Sequence, residues 1–133
     1  MDYILVDTNI VSYLMKDHPI ARLYHRHLQG RILCLSFITI GELYLGAEIN
    51  QWGEVRRKRL EEVLRNYVIL PYDKKVAEYY AKVIIGVRKK GYQISFSDAW
   101  IAATAIAFDL PFVTHNKSHF EHVPNLIFIT EIS

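Results

Sequence analysis

Cysteine is almost absent from this sequence: one residue, Cys34, among 133. That excludes a disulfide within the chain and any zinc site of the Cys/His kind. Cys34 lies in the apolar run Ile32–Leu35 and reads as a small buried core residue, in keeping with a reducing compartment. Net charge is scarce as well, at +2 from 16 Lys and Arg against 14 Asp and Glu. No global field therefore demands a polyanionic partner, and a polyanion would need a local basic groove. Long apolar runs are missing: none approaches the roughly 20 residues of a membrane helix. The N-terminus lacks the basic and apolar regions of a signal peptide, so the expected compartment is the cytoplasm, with no membrane partner. There are no internal repeats, low-complexity tracts, linkers or Gly-rich phosphate loop. With 51 % apolar residues, enough for one core, residues 1–133 read as one domain.

What is present is an alternation of short apolar runs and helical stripes. Tyr3-Ile4-Leu5-Val6 is a strand that stops at Asp7-Thr8-Asn9. Thr8–Met15 and Ile20–Leu28 read as helices, the second closed by Gly30. Ile32–Leu35 is a second strand, followed by a helix over Phe37–Ala47. A helix over Glu54–Tyr67 places Arg56, Arg57, Lys58 and Arg59 on its outer side, and Val68–Leu70 is a third strand. Lys74–Lys90 is a long amphipathic helix with Val76, Tyr80, Val83, Ile84 and Val87 inside and a glycine stop at Gly91. Ser97 is the expected N-cap of an alanine-rich helix over Asp98–Phe108, whose small residues suit a central position. Pro111–Thr114 is a fourth strand and Leu126–Ile129 a final, edge strand. Strands that alternate with helices predict a parallel sheet covered on both faces, a three-layer α/β/α domain with four to five strands.

Four polar residues recur at strand ends or helix starts. Asp7 follows the first strand, where it reads either as an N-cap or as a site residue. Glu42 fits a capping box with Thr39, or an acid at the edge of the core. Asp98 opens a helix, whose dipole favours an ionised carboxylate there. Asn116 follows the fourth strand, as a turn residue or as a counterpart of Asn9. Together they could meet at one sheet edge. Clustered carboxylates repel one another unless a cation intervenes, and an all-oxygen set suits Mg²⁺ or Mn²⁺.

The motifs Val6-Asp7-Thr8-Asn9, Ser36…Thr39-Ile40-Gly41-Glu42-Leu43, Ser97-Asp98-Ala99-Trp100-Ile101-Ala102-Ala103 and Phe112-Val113-Thr114-His115-Asn116…Phe120 come in register along the whole chain. In that order they resemble a PIN-domain ribonuclease, and most closely the VapC-type toxins of prokaryotic toxin–antitoxin pairs. The fourth family position is often Asp, where this chain has the neutral Asn116. The resemblance implies a metal-dependent endoribonuclease with Asp7, Glu42, Asp98 and Asn116 as the catalytic set. Asp7 and Asp98 would contact Mg²⁺ or Mn²⁺ directly, and Glu42 directly or through water. Thr8 and Thr114 would orient the carboxylates, while Asn9, His115 and Lys117 would meet the RNA substrate. A homodimer, a cognate antitoxin lying over a groove beside the site, and operator DNA reached only through that antitoxin are implied as well. Val11, Leu14, Met15 and Leu23 are candidates for the antitoxin contact, with core packing as the alternative. The other reading is a PIN-fold binding module that acts mainly in an antitoxin–operator complex, its nuclease activity latent. Trp100 has no account from sequence.

Overall fold

The computed structural model describes residues 2–133. Its centre is β1 (Tyr3–Val6), whose Ile4, Leu5 and Val6 are fully buried. One five-stranded sheet runs in the order β3-β2-β1-β4-β5, with β2 (Ile32–Ser36), β3 (Val68–Leu70), β4 (Phe112–Val113) and β5 (Phe128–Ile129). Every neighbouring pair is parallel, so all five carboxyl ends share one edge. The chain builds β1, β2 and β3 in one direction and then returns to the other side of β1 for β4 and β5. That reversal leaves a crevice outside the carboxyl ends of β1 and β4, where open α/β sheets bind ligands.

Alternation along the strands sorts the helices into two layers. Leu5, Cys34 and Phe112 point to one face. They pack there on α6 (Lys74–Lys89) and α7 (Phe96–Ala107) through Val83, Ile84, Val87, Ala99 and Ala102. Ile4, Val6, Leu35 and Val113 point to the other. That face carries α1 (Thr8–Met15), α2 (Pro19–Arg22), α3 (His25–Leu28), α4 (Phe37–Ile49) and α5 (Glu54–Leu64). Neighbouring residues of a strand face opposite sides, so each strand feeds both cores. The three-layer parallel architecture expected from sequence is therefore the observed one. The alanines of α7 let it lie against the sheet and α6; Ala99, Ala102 and Ala103 are wholly buried. Gly30 and Gly91 take positive φ, +75° and +87°, as terminators that a β-carbon would strain. No described helix is long and apolar enough to cross a membrane.

Three expectations need correction. The helix over Ile20–Leu28 is two short helices, broken at Leu23-Tyr24. Tight turns there, with Tyr24 N–H donating to Ala21 O at 3.1 Å, leave Leu23 exposed and draw Tyr24 fully inside. The cap of α7 is Ser95, not Ser97: its Oγ accepts the Asp98 N–H at 3.1 Å, so α7 starts two residues early. Helix α5 stops at Leu64, and Tyr67 lies beyond it. Of the candidate contact residues on the first helix, Val11 is core, while Leu14 and Met15 are half-buried. Trp100 gains an account: it stacks on Tyr80 of α6 at 3.8 Å and meets Tyr72 edge-on at 5.1 Å, closing the α6–α7 seam at its outer end.

Gly86 of α6 faces the ring of Pro124, and a β-carbon built there would stand 2.8 Å from its Cγ. Overpacking of this kind costs about 1–3 kcal/mol, more than the ~1 kcal/mol an alanine gains in a helix. Gly86→Ala should therefore lower stability by about 1 kcal/mol. Urea titration checks it, and a stabilised variant would contradict this packing.

Candidate active site

Asp7 is the first residue past β1 and the N-cap of α1. The capping alternative read from sequence holds, and the two carboxylate oxygens have different partners. Oδ1 accepts the Thr8 N–H at 2.8 Å, a capping bond. Oδ2 accepts the Thr114 hydroxyl at 2.6 Å, across the β1–β4 boundary. Only 4 % of Asp7 is exposed.

Glu42 is not a capping-box partner. Ser36 caps α4 by accepting the Ile38 N–H at 3.1 Å, which puts Glu42 in the second turn. Its Oε1 accepts the Thr8 hydroxyl at 2.7 Å, and Thr39 Oγ1 lies 3.0 Å from the same hydroxyl. Asp98 sits in the first turn of α7, three residues past Ser95, yet the hydrogen bond of its carboxylate goes to another element. Its Oδ2 pairs with Nδ1 of His119 at 3.0 Å, from α8 (Lys117–Phe120). Asn116 precedes α8 and is exposed; its N–H donates to Thr114 Oγ1 at 3.0 Å.

A cleft of about 440 Å³ brings these groups together. Asp7, Thr8, Asn9, Glu42, Asp98 and Asn116 line it, with Ser95, Ser97 and His119 on the α7–α8 side. His115 and Lys117 are not among its walls. His115 turns the opposite way, with Nδ1 2.6 Å from the Tyr24 hydroxyl. His119 was missed by sequence reasoning. The signal was its position three residues after Asn116, which a helical turn places on the same face.

Three carboxylates share this cleft, and the most buried one shows the strain. Burial, reinforced by the negative charges of Asp98 and Glu42, pushes the Asp7 carboxyl up to about 6, against the opposing Thr114 and Thr8 hydrogen bonds. An oxygen-rich, mutually repelling set fits a hard divalent cation. Among the described residues no group of three or more Asp, Glu, His or Cys side chains is placed to hold a metal ion by itself. An open set suits Mg²⁺, which keeps several waters and takes one or two carboxylates plus a substrate phosphate. Asn9 adds a donor: its buried Nδ2 has no hydrogen-bond partner within the protein.

A second, larger groove of about 660 Å³ adjoins the cleft, and Thr8 and Glu42 belong to both. Its other walls include Met15, Trp52 and Leu60 with the cations Lys16, Arg56 and Arg59. The outer face expected for the four cations of α5 holds for Arg56, Lys58 and Arg59, which are exposed, while Arg57 is half-buried. Arg57 is tied to Glu48 at 2.9 Å, whereas Arg56 and Arg59 border this groove.

With this geometry described, comparison with known proteins adds the following. A family model described as PIN domain matches residues 4–126. Ribonuclease VapC2 of Haemophilus influenzae is 34 % identical over 119 residues, covering 90 % of each chain. Toxin FitB of Neisseria gonorrhoeae is 35 % identical over 126 residues, covering 88 % of this chain and 90 % of FitB. Among solved structures, VapBC2 from Rickettsia felis, bound to a DNA fragment from its promoter, contains a chain similar at TM-score 0.86 and 28 % identity. That match covers 99 % of this chain and 100 % of the other.

The raised Asp7 carboxyl has a measurable consequence without metal. Folded Asp7 holds its proton up to about pH 6, while the unfolded group releases it near 3.8. Its contribution to stability is thus fully present below the unfolded value and is lost as pH rises through 6. Between pH 4 and 7 the metal-free wild type should lose on the order of 3 kcal/mol relative to Asp7→Asn, in which that group cannot ionise. Parallel urea titrations of the two proteins check this; equal slopes with pH would show that Asp7 titrates normally.

Proposed function

Since the chain belongs to the PIN domain family, we propose that it is a divalent-metal-dependent endoribonuclease, acting as the toxin of a toxin–antitoxin pair. The observation that carries this reading is the convergence of Asp7, Glu42 and Asp98, from three distant segments, on one cleft at the β1–β4 reversal. The relatives named ribonuclease and toxin support the substrate class and the biological role.

Asp7 and Asp98 would hold Mg²⁺ or Mn²⁺, with Glu42 acting directly or through a water and the Asn116 amide oxygen completing the protein's share. The bound ion would acidify a water and offset the charge that develops on the phosphate. The chain's own residues do the rest. Thr114 and Thr8, each donating one hydroxyl proton, orient the Asp7 and Glu42 carboxylates. Asn9, which lines the cleft, would meet the substrate. His119 fixes Asp98 Oδ2 and leaves Oδ1 for the cleft.

The adjoining groove is the proposed seat of the antitoxin. Its apolar floor and cationic rim suit an amphipathic segment that carries acids on one side. Operator DNA would be reached through that partner, in line with the promoter-bound complex of the Rickettsia felis neighbour. The exposed aromatic side chains of Phe37 and Phe96 offer a surface for a second copy of the chain.

Cleavage of a single-stranded oligoribonucleotide should require Mg²⁺ or Mn²⁺ and stop in EDTA. Asp7→Asn and Asp98→Asn should each lower it by about 100-fold or more. Full activity in EDTA, or in either variant, would sink the metal-dependent reading. Reversing Lys16 and Arg56 together to Glu should weaken the antitoxin complex by about tenfold at low salt, mostly through slower association. Cleavage by the free protein should stay unchanged, so unaltered antitoxin affinity would place the partner elsewhere.

A further inference from the structure

Thr114, His115 and Asn116 are consecutive, and their side chains part company. Thr114 grips Asp7 at 2.6 Å, and Asn116 lines the cleft. His115, between them, lies at a bend past β4 and faces the opposite way. Its N–H reaches Asn9 Oδ1 at 3.5 Å, and its Nδ1 lies 2.6 Å from the Tyr24 hydroxyl. The ring also stands edge-on to Tyr24 and Tyr13, at 5.5 and 5.9 Å.

Tyr24 heads the largest fully buried side chains of the protein. Its hydroxyl accepts the Glu131 N–H at 3.0 Å and lies within 3.5 Å of Thr130 Oγ1 and 3.4 Å of Thr114 O. The Glu131 carboxylate is held in turn by Arg26 at 2.9 and 3.0 Å. One hydroxyl therefore ties together the α2–α3 break, the end of β4 and the tail after β5. A phenylalanine would fill nearly the same volume, so packing alone does not account for a buried hydroxyl here. Its partners do, and the shortest contact ends on the residue between two walls of the site.

We propose that Tyr24 is a positioning residue for the hydrolysis: acting through His115, it holds the loop after β4 so that Thr114 reaches Asp7 and Asn116 faces the cleft. This inference rests on the nuclease reading for its catalytic consequence, and on the hydrogen-bond geometry alone for its structural one. It also makes the C-terminal tail part of the support of the site, since Glu131 donates to the same hydroxyl.

The test uses the full chain in four variants: Tyr24→Phe, His115→Ala, His115→Asn and the Tyr24→Phe/His115→Ala double. Two measurements are made below the unfolding temperature. One is Mg²⁺-dependent cleavage of a single-stranded oligoribonucleotide. The other is amide hydrogen exchange of the metal-free protein over residues 112–119. Tyr24→Phe should lower kcat by about tenfold, with KM within about twofold, and speed exchange at 114–116. His115→Ala should lower kcat in the same way, and the double should be no worse than Tyr24→Phe, in which the Tyr24–His115 link is already lost. His115→Asn, whose amide can occupy the place of Nδ1, should recover most of the loss. The proposal is overturned by an unchanged kcat in Tyr24→Phe, by losses that multiply in the double, or by exchange that rises evenly along the chain. If the wild type cleaves no RNA, the nuclease reading fails by itself. Exchange at 114–116 then still decides: loosening confined to the loop sustains the link, and an unchanged loop removes it.

Discussion

A carboxylate with 4 % exposure, at the end of the central strand, is the constraint to which the rest of the structure answers. Burying an ion without partners is costly, and proteins avoid it by pairing the charge or by raising its pKa. Asp7 shows both responses. The Thr8 N–H and Thr114 hydroxyl each satisfy one oxygen, yet burial still dominates and holds the carboxyl near 6. Near neutral pH the group is then ionised in a place that favours neutrality. Such a side chain contributes little to folding. On the metal-dependent reading proposed above, a bound cation would relieve the burial and the repulsion from Asp98 and Glu42 together.

The sheet order makes that burial possible. With β2 on one side and β4 on the other, the end of β1 is enclosed laterally, and α1 and α7 cover it from the two faces. An edge strand could not bury the same residue. Val68 and Ile69 of β3 are 43 % and 46 % exposed although they are apolar. The parallel arrangement also explains where Glu42 comes from. Each strand ends at the same edge, and α4, which follows β2, begins there and carries Glu42 into the cleft. Asp98 comes instead from the first turn of α7, which follows α6 and not a strand.

The parts of this architecture that were legible in the sequence are those that depend on hydrophobic period. The apolar run of β1 stops at Asp7, the 3.6-residue stripe of α6 gives its buried face, and the alanines of α7 mark a close approach. Residues whose placement depends on one tertiary hydrogen bond were not legible. Tyr24 looked like one more member of a helical stripe, but its hydroxyl has partners 90 to 107 residues away, and the helix breaks to bring it to them. Ser97 and Ser95 are equally good caps by composition, and only the course of the backbone selects Ser95. His115 was grouped with Asn116 by adjacency, but the chain bends at His115 just past β4 and its ring turns to the Tyr24 hydroxyl, a course set by tertiary contacts. Asn116 departs from the family pattern in charge only, and it keeps its place on the cleft wall.

Cleft and groove share a wall, and this bears on how a partner could silence the site. Thr8 has one hydroxyl proton, and it is committed to Glu42; Thr39 stands at 3.0 Å on the same oxygen. A segment seated in the groove meets the far side of that pair directly. A hydrogen-bonding group on the segment would compete for Glu42 or for the Thr8 proton within the first layer of contacts. Thr8 is also the residue whose N–H donates to Asp7 Oδ1 in the cap of α1. The two acids are therefore joined through the backbone and side chain of one threonine. Control of the acid set then needs no second global conformation and no pathway across the protein, only a contact with a wall that both cavities already possess.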